Sequence, residues 1–558
     1  MKFIVKLFTI GALTILLTGC LVGSTTSSNT SEGVVNVSIT DGPGDDYDHV
    51  WVTIKAIAFH ADPNIAWNIY NPAWHTTTLP APVTIDLANL SNGSINQVFL
   101  GMNLPVGTYK QIRLFLAGFD DTLTSSALAE TPPLKYNDQV DYTDTSVTPN
   151  VAHHVPLEIA YPIQGIQLNG TFTVTTTNSL DLALDFDLEH DLVPFVHPTG
   201  ANTTENYFTL KPNLRYFDLN QSGAIAGYVD PTHLCTTAVA NTCGYNLIAK
   251  AEILSPDGSR HIGTRATRIK SDGSFTLYPF PSNTKYDVLI RGRNIETMLV
   301  KGVTAPVAST PSSGAAVLSS AAIALTINSS EYFANFNSPL TPTSGYAVFQ
   351  QTLPGVNEVP YEIRWGNNNP YTGTLQTPVA LSSGQLHVAN YVDGNVLVFN
   401  SVTPQEGLGN FNVTNNRLPL DYYNLSIGVT IQPPNPLTIP LIFSPNQPAL
   451  SSSVTTGSIS GNISQTAALY DKGFLVISRF ANIVDTLDIS SYLATSGTYS
   501  ITLPAGTASA PVTGAYYYGY LRVWNSAHPV ATMKVIPINS MIDLRNNSFF
   551  SVPNIILL

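Results

Sequence analysis

The sequence predicts an all-β chain built as tandem antiparallel β-sandwiches, and three observations carry that reading. Asp, Glu, Lys and Arg make up only 11% of the 558 residues, against about a quarter in an average domain, so the Glu- and Lys-rich faces of exposed helices are missing. The 38 Gly and 39 Pro punctuate the chain as turn residues do. Between them, apolar residues alternate with Ser, Thr and Asn over short runs, and no stretch shows a long amphipathic helix. At roughly 150 residues per domain, the length supports several cores rather than one.

Strands begin at Val35. Val35, Val37 and Ile39 alternate with Asn36 and Ser38, and Val50, Val52, Ile54, Ala56 and Ala58 alternate with Trp51, Thr53 and Lys55. Runs 83–87, 109–116, 171–176, 180–187 and 207–217 continue the pattern within a first β-domain over 34–217. A second unit, 221–335, opens with Gly223-Ala224-Ile225-Ala226-Gly227 and continues through the turn and strand Asp272-Gly273-Ser274-Phe275. Asn337 to Gly345 reads as a linker, 346–450 as a β-rich unit of unassigned type, and 451–457 as a polar closure. The last unit, 457–558, opens with Gly457-Ser458-Ile459-Ser460-Gly461 and carries Gly497-Thr498-Tyr499 further on, so it reads as a diverged copy of the second.

The N-terminus speaks to the compartment. Lys2 and Lys6 precede an apolar run over 7–17, too short to span a bilayer as about 20 apolar residues would. Leu17-Thr18-Gly19-Cys20 resembles a bacterial lipobox. That resemblance implies a signal peptide over 1–19, lipidation of Cys20 and a tether over 20–33 of small polar residues. Leu21 in place of Asp implies, by the same resemblance, an outer-membrane address, facing the periplasm or the outside. Cys235 and Cys243 remain, and in an oxidising compartment a close pair reads as a loop disulfide.

Further residues carry a family resemblance. Val37-Ser38-Ile39-Thr40-Asp41-Gly42-Pro43, Asp48-His49-Val50-Trp51, Ile85-Asp86-Leu87 with Asn92-Gly93, Leu104-Pro105-Val106-Gly107-Thr108-Tyr109, Leu184-Asp185-Phe186-Asp187 and Leu210 to Arg215 follow in order. Together they resemble the bacterial lipoprotein domains known as domain of unknown function 4382. The resemblance implies an extracytoplasmic β-domain and supplies no catalytic residue. Residues 221–310 resemble carboxypeptidase regulatory-like, prealbumin-type sandwiches, which implies an immunoglobulin-like or transthyretin-like fold and an accessory or binding role.

Chemistry is sparse. A net charge of -13 with no Lys/Arg cluster excludes a nucleic-acid partner. The sequence holds no His-Glu-x-x-His, no phosphate-binding Gly-x-x-x-x-Gly-Lys and no Gly-x-Ser-x-Gly. Adjacent His153 and His154 fall on opposite faces of a strand, which spoils shared metal ligation.

Asp41, Asp45, Asp46 and Asp48 surround a Gly-Pro-Gly turn, so they are candidate ligands for a structural Ca²⁺, against a plain reading as a solvated, capped turn. Asp185 and Asp187 share one strand face and could flank a glycosidic bond, against a polar outer face. Tyr516, Tyr518, Tyr520 and Trp524 share another strand face, which as an open aromatic row would stack on sugars or bury a partner, against a covered strand. The expectation is a membrane-anchored envelope lipoprotein acting as a non-catalytic binding or adhesion module for glycan or protein. The alternative is a structural envelope-assembly protein, and a hydrolase ranks third. No cofactor other than the calcium is expected.

Overall fold

The computed structural model describes most of 31–338 and 456–557, with strands inside 345–440. The main stretches outside the described residues are 1–30, 43–46, 199–203, 211–213, 231–246, 255–260, 309–314, 319–322, 324–330, 339–344, 370–373, 383–386, 401–409, 418–423, 431–436 and 441–455. Cys20, Asp45, Asp46, Cys235 and Cys243 therefore lie outside the described residues.

The fold is all-β, as composition and alternation predict. The first domain holds twelve strands: β1 (Glu32–Gly42), β2 (His49–His60), β3 (His75–Asp86), β4 (Asn96–Pro105), β5 (Gly107–Leu116), β6 (Gln139–Asp144), β7 (Val151–Ile159), β8 (Ile166–Val174), β9 (Leu180–Asp187), β10 (Leu192–Pro198), β11 (Thr204–Leu210) and β12 (Arg215–Asp218). One sheet runs β12-β9-β1-β4, and the facing sheet contains β7-β6-β2-β5-β8 with β3 beside β2. Val35, Val37, Ile39, Leu182, Leu184 and Phe186 from the first sheet meet Val50, Val52, Ile54, Leu114 and Leu157 from the second, all buried. Glu32 and Gly33 already pair with Pro105 and Leu104, so the strand takes the last residues expected of the tether.

The alternation of β2 breaks at Lys55. A register shift between Ile54 and Ala56 inserts a bulge against both β3 and β5. Val50, Val52 and Ile54 face the main core, but beyond the bulge Ile57 and Phe59 take that face. Ala56 and Ala58 turn outward to a second cluster with Trp74 and Phe115. One inserted residue thus moves the apolar set across the sheet, as a period of two requires.

The resemblance motifs acquire physical causes. Asp86 of Ile85-Asp86-Leu87 accepts from the amides of Val50 (3.0 Å) and Ala88 (3.2 Å), tying β2 to the turn after β3. β4 and β5 lie in different sheets, and at that crossover the Tyr109 hydroxyl donates to the Pro105 carbonyl at 2.9 Å.

The second unit comprises β13 (Ser222–Tyr228), β14 (Ile248–Leu254), β15 (His261–Arg268), β16 (Ser274–Pro281), β17 (Lys285–Gly292), β18 (Ile295–Thr304) and β19 (Ala316–Val317). Its sheets run β16-β13-β19 and β15-β14-β17-β18. The last unit repeats this plan: strand Thr456–Gln465 pairs antiparallel with Gly497–Pro504 and parallel with Phe549–Ser551, and Lys472–Arg479 lies between Asn482–Asp488 and Tyr516–Trp524. The shared Gly-x-Ile-x-Gly opening has one use in both. Gly227 is paired with Phe275 and Gly461 with Tyr499, and a Cβ at either glycine would collide with the facing ring.

The expected linker at Asn337 to Gly345 is different in part. Glu331–Ser338 is a strand paired with Thr374–Ser382 and Leu437–Pro440, so it joins the unassigned region rather than the second sandwich. Among the described residues no helix is long and apolar enough to cross a membrane.

Candidate binding loop and acidic clusters

The outer face of β2 and β5 carries a loop that leaves Ile69 and Tyr70 exposed. Residues 61–74, between β2 and β3, fold back over Ala56, Ala58 and Phe115. Trp67 packs on Phe115 (ring centroids 4.8 Å) and edge-on to Trp74 (5.2 Å), which also lies 4.7 Å from the His60 ring. Beneath them the buried Arg113 guanidinium sits 5.6 Å from the Trp74 ring. Arg113 donates to Gln111 Oε1 (3.0 Å), the Gln164 carbonyl (2.7 Å) and Gln167 Oε1 (2.7 Å). The amides of Gln111 and Gln167 then both donate to the Pro63 carbonyl, at 2.6 and 3.0 Å. Burial, opposed by Tyr518 and Tyr516, lowers the Arg113 pKa, yet a guanidinium stays charged.

The loop is pinned at both ends and bare at its tip. Tyr70 is 90% exposed and Ile69 74%. Asn68 and Asn71 turn the tip by accepting the amides of Tyr70 (2.9 Å) and Ala73 (3.0 Å) on their side-chain oxygens. No charged residue occurs between Asp62 and His75. Burial and then the charge of His60 lower the His75 pKa, which favours its neutral form. An uncharged tip presenting one aromatic face and side-chain amide donors can stack and hydrogen-bond a neutral ligand. Its sequence signal is the Trp, Tyr and Asn density of 64–74, a stretch without the periodicity that marks a strand or helix.

The expected aromatic row is covered. Tyr516, Tyr518, Tyr520 and Trp524 share one strand face as expected, but all four are buried in one continuous core with the first domain. Strand periodicity placed them on one face and could not say what lay against it. Tyr517, Leu521 and Val523, on the other face of that strand, fill the core of the last sandwich.

One member of the first acidic set, Asp41, lies beside Asp185 and Asp187 of the second. β1 runs parallel to β9 with Thr40 opposite Asp185, Asp41 opposite Phe186 and Gly42 opposite Asp187. Asp41 is buried and accepts the Leu188 amide at 3.3 Å. Burial first, then the charges of Asp185 and Asp187, push its carboxyl pKa well up, against Arg265 and the Leu188 amide. Asp48 is exposed and accepts from Thr143 at 2.7 Å. The two described members of the calcium quartet therefore have different partners. No group of three His, Cys, Asp or Glu positioned for a metal ion occurs among the described residues.

Asp185 is not on an open outer face. It is fully buried, with Oδ1 2.5 Å from Arg265 and Oδ2 2.8 Å from Arg215, so its oxygens are engaged by cations rather than offered to a sugar. His154 rests on Asp141 (2.8 Å) and His49 on Asp86 (2.7 Å), while His153 stacks on Tyr142, so the adjacent histidines do part to opposite faces.

Comparison with solved structures gives low similarity. A leucine-rich repeat protein from Bacteroides thetaiotaomicron matches at 11% identity over 41% of this chain and 26% of that chain, with a TM-score of 0.13, so the chain spans about a quarter of that protein. Two B repeat units of the collagen-binding protein of Staphylococcus aureus match at 8% identity over 94% of this chain and 99% of that one, TM-score 0.12. The pilus adhesin SpaC from Lactobacillus rhamnosus GG, in its open conformation, matches at 9% identity over 91% of this chain and 56% of that one, TM-score 0.15. No curated protein matches the sequence. The family scan bears on the first domain: residues 32–212 match the domain of unknown function DUF4382, the family that its motifs resemble.

Proposed function

We propose that the chain is a non-catalytic binding module of the bacterial envelope that contacts a neutral glycan through the loop at Ile69 and Tyr70. The observation that carries this reading is the 90% exposure of Tyr70 on a loop whose base is fixed by Trp67, Trp74 and the Pro63 carbonyl. A free aromatic face on a flexible loop must be ordered at each encounter, whereas the base of this loop is fixed beforehand. The uncharged stretch around it suits a neutral sugar, whose ring stacks on Tyr while its hydroxyls accept from Asn68 and Asn71. Engagement of Asp185 by two arginines speaks against a glycosidase built on that residue.

The reading includes tethering to the outer membrane through a lipidated Cys20. Palmitate labelling that is lost in Cys20→Ser supports the tether, and labelling that persists removes it. For the loop, the intact chain is measured for retention on an array of neutral glycans. Tyr70→Ala is expected to weaken retention about tenfold, the value of one stacked ring, while Tyr70→Phe retains it. Equal retention of Tyr70→Ala and the parent, or no retention of the parent on any neutral glycan, overturns the proposal.

A further inference from the structure

The resemblance motifs of the first domain converge on its boundary with the second sandwich. β12 ends at Asp218, a single 3₁₀ turn (Leu219–Gln221) follows, and β13 begins at Ser222. Across this short joint Arg265 of β15 enters the first domain. Its Nη1 lies 2.5 Å from Asp185 Oδ1, and its Nη2 donates to Thr40 Oγ1 (2.8 Å) and the Asp41 carbonyl (3.0 Å). Both Arg265 and Asp185 side chains are almost wholly buried. The first domain's own cation there, Arg215, binds the other oxygen of Asp185 at 2.8 Å and lies 3.7 Å from Asp187.

A second contact is independent of charge. Asn92 takes a left-handed conformation (φ 56°), followed by Gly93 (φ 75°), and so aims its backbone and side chain at the neighbouring sandwich. Its amide donates to Thr267 Oγ1 (2.8 Å), its Nδ2 to the Arg268 carbonyl (2.9 Å), and its Oδ1 accepts the Thr276 amide (3.3 Å). Thr40, Asp41, Asn92, Asp185 and Arg215 all belong to the motifs that carry the family resemblance, yet several of them spend their polar groups on the next domain.

We propose that this end of the first domain is a socket and that Arg265 is the latch that closes it, so that the first domain and the second sandwich open and close as one cooperative body. Asp41, Asp185 and Asp187 lie on adjacent strands, with Asp191 behind them, and a buried carboxylate is tolerated only when paired and hydrogen-bonded. Arg215 meets one oxygen of Asp185 and Arg265 meets the other. Only a planar guanidinium can reach Asp185 on β9 and Thr40 and Asp41 on β1 at once, so lysine is a poor substitute. Loss of Arg265 strands a buried carboxylate oxygen and loosens β15 from both strands together.

The test uses the full chain, with hydrogen exchange read on β1, β9 and β15 and protease cleavage read at the 219–221 turn. In the parent, the three strands are expected to exchange together with the turn protected. Arg265→Met is expected to raise exchange in β1 and β9 and cleavage at the turn by about tenfold, less than complete loss of a buried pair because Arg215 remains. Adding Asp185→Asn to Arg265→Met is expected to undo part of that loss, since the stranded charge is gone. Parent-like exchange and cleavage in Arg265→Met, or strictly additive losses in the double variant, overturn the latch. Should Arg265→Met fail to fold, Arg265→Lys and Thr40→Val are read in its place. Each is expected to raise exchange in β1 and β15 together, and unchanged exchange in both overturns the proposal.

Discussion

Tyr520, in the last sandwich, donates its hydroxyl to Oε1 of Glu158, in the first domain, at 2.6 Å across a sequence separation of 362 residues. Arg522 forms an ion pair with the same carboxylate, and both charged side chains are buried. Around them Phe474 and Trp524 (ring centroids 5.8 Å) extend the core of the first domain into the last sandwich. Desolvation raises the Tyr520 pKa far above that of an ordinary phenol, so the hydroxyl remains a donor at every physiological pH.

From this contact follows a graded pair of variants. Tyr520→Phe removes one hydrogen bond to a charged group and is expected to cost about 1.5 to 3 kcal/mol. Glu158→Ala strands the buried Arg522 and is expected to cost about 3 to 5 kcal/mol. Denaturant unfolding followed on both end domains measures each, and equal costs for the two variants would contradict a paired Glu158.

Asp41 sets a pH dependence of definite sign. Burial, with Asp185 and Asp187 nearby, raises its folded-state pKa above the unfolded value. A raised acid contributes its full stability below the unfolded value, about pH 3.9, and loses it as pH rises through the folded value. Asp41→Asn is therefore expected to be more stable than the parent at pH 7, with the gain vanishing below about pH 4. Thermal unfolding across that range checks it, and a gain that is constant with pH would count against a raised Asp41.

The glycine at 461 is there for the ring opposite. Gly461→Val places methyl groups into Tyr499 and is expected to cost about 1 to 3 kcal/mol. In the Tyr499→Leu background the same change is expected to cost less, because the obstruction is smaller. A double-mutant cycle on the full chain measures the coupling, and strict additivity would refute the packing argument.

The fold class and the strands up to Ile54 were legible in the sequence because period-two alternation is a direct imprint of a one-sided sheet. Ala56 and Ala58 were misplaced because a bulge adds one residue without any compositional mark. The nearness of Asp41 to Asp185 was hidden for a different reason: parallel strands that meet across a sheet leave no local signal of their partner. The Tyr516 row shows the same limit from the other side, since periodicity gives a face and not its neighbour. Tyr70 stood in the sequence without periodicity, and only its exposure distinguishes it from the buried aromatics around it.

The parallel pairing of β1 with β9 has a consequence for how the chain is made. Asn36 on β1 donates to Asp181 on β9 at 2.6 Å, a contact separated by 145 residues. During synthesis from its N-terminus, β1 emerges long before its parallel neighbour, with one backbone edge open until β9 arrives. Contacts of such sequence separation make folding slow, because the chain between them must be closed first. The edge of β1 that β9 finally covers thus stays open to wrong strand pairing until most of the first domain has been made.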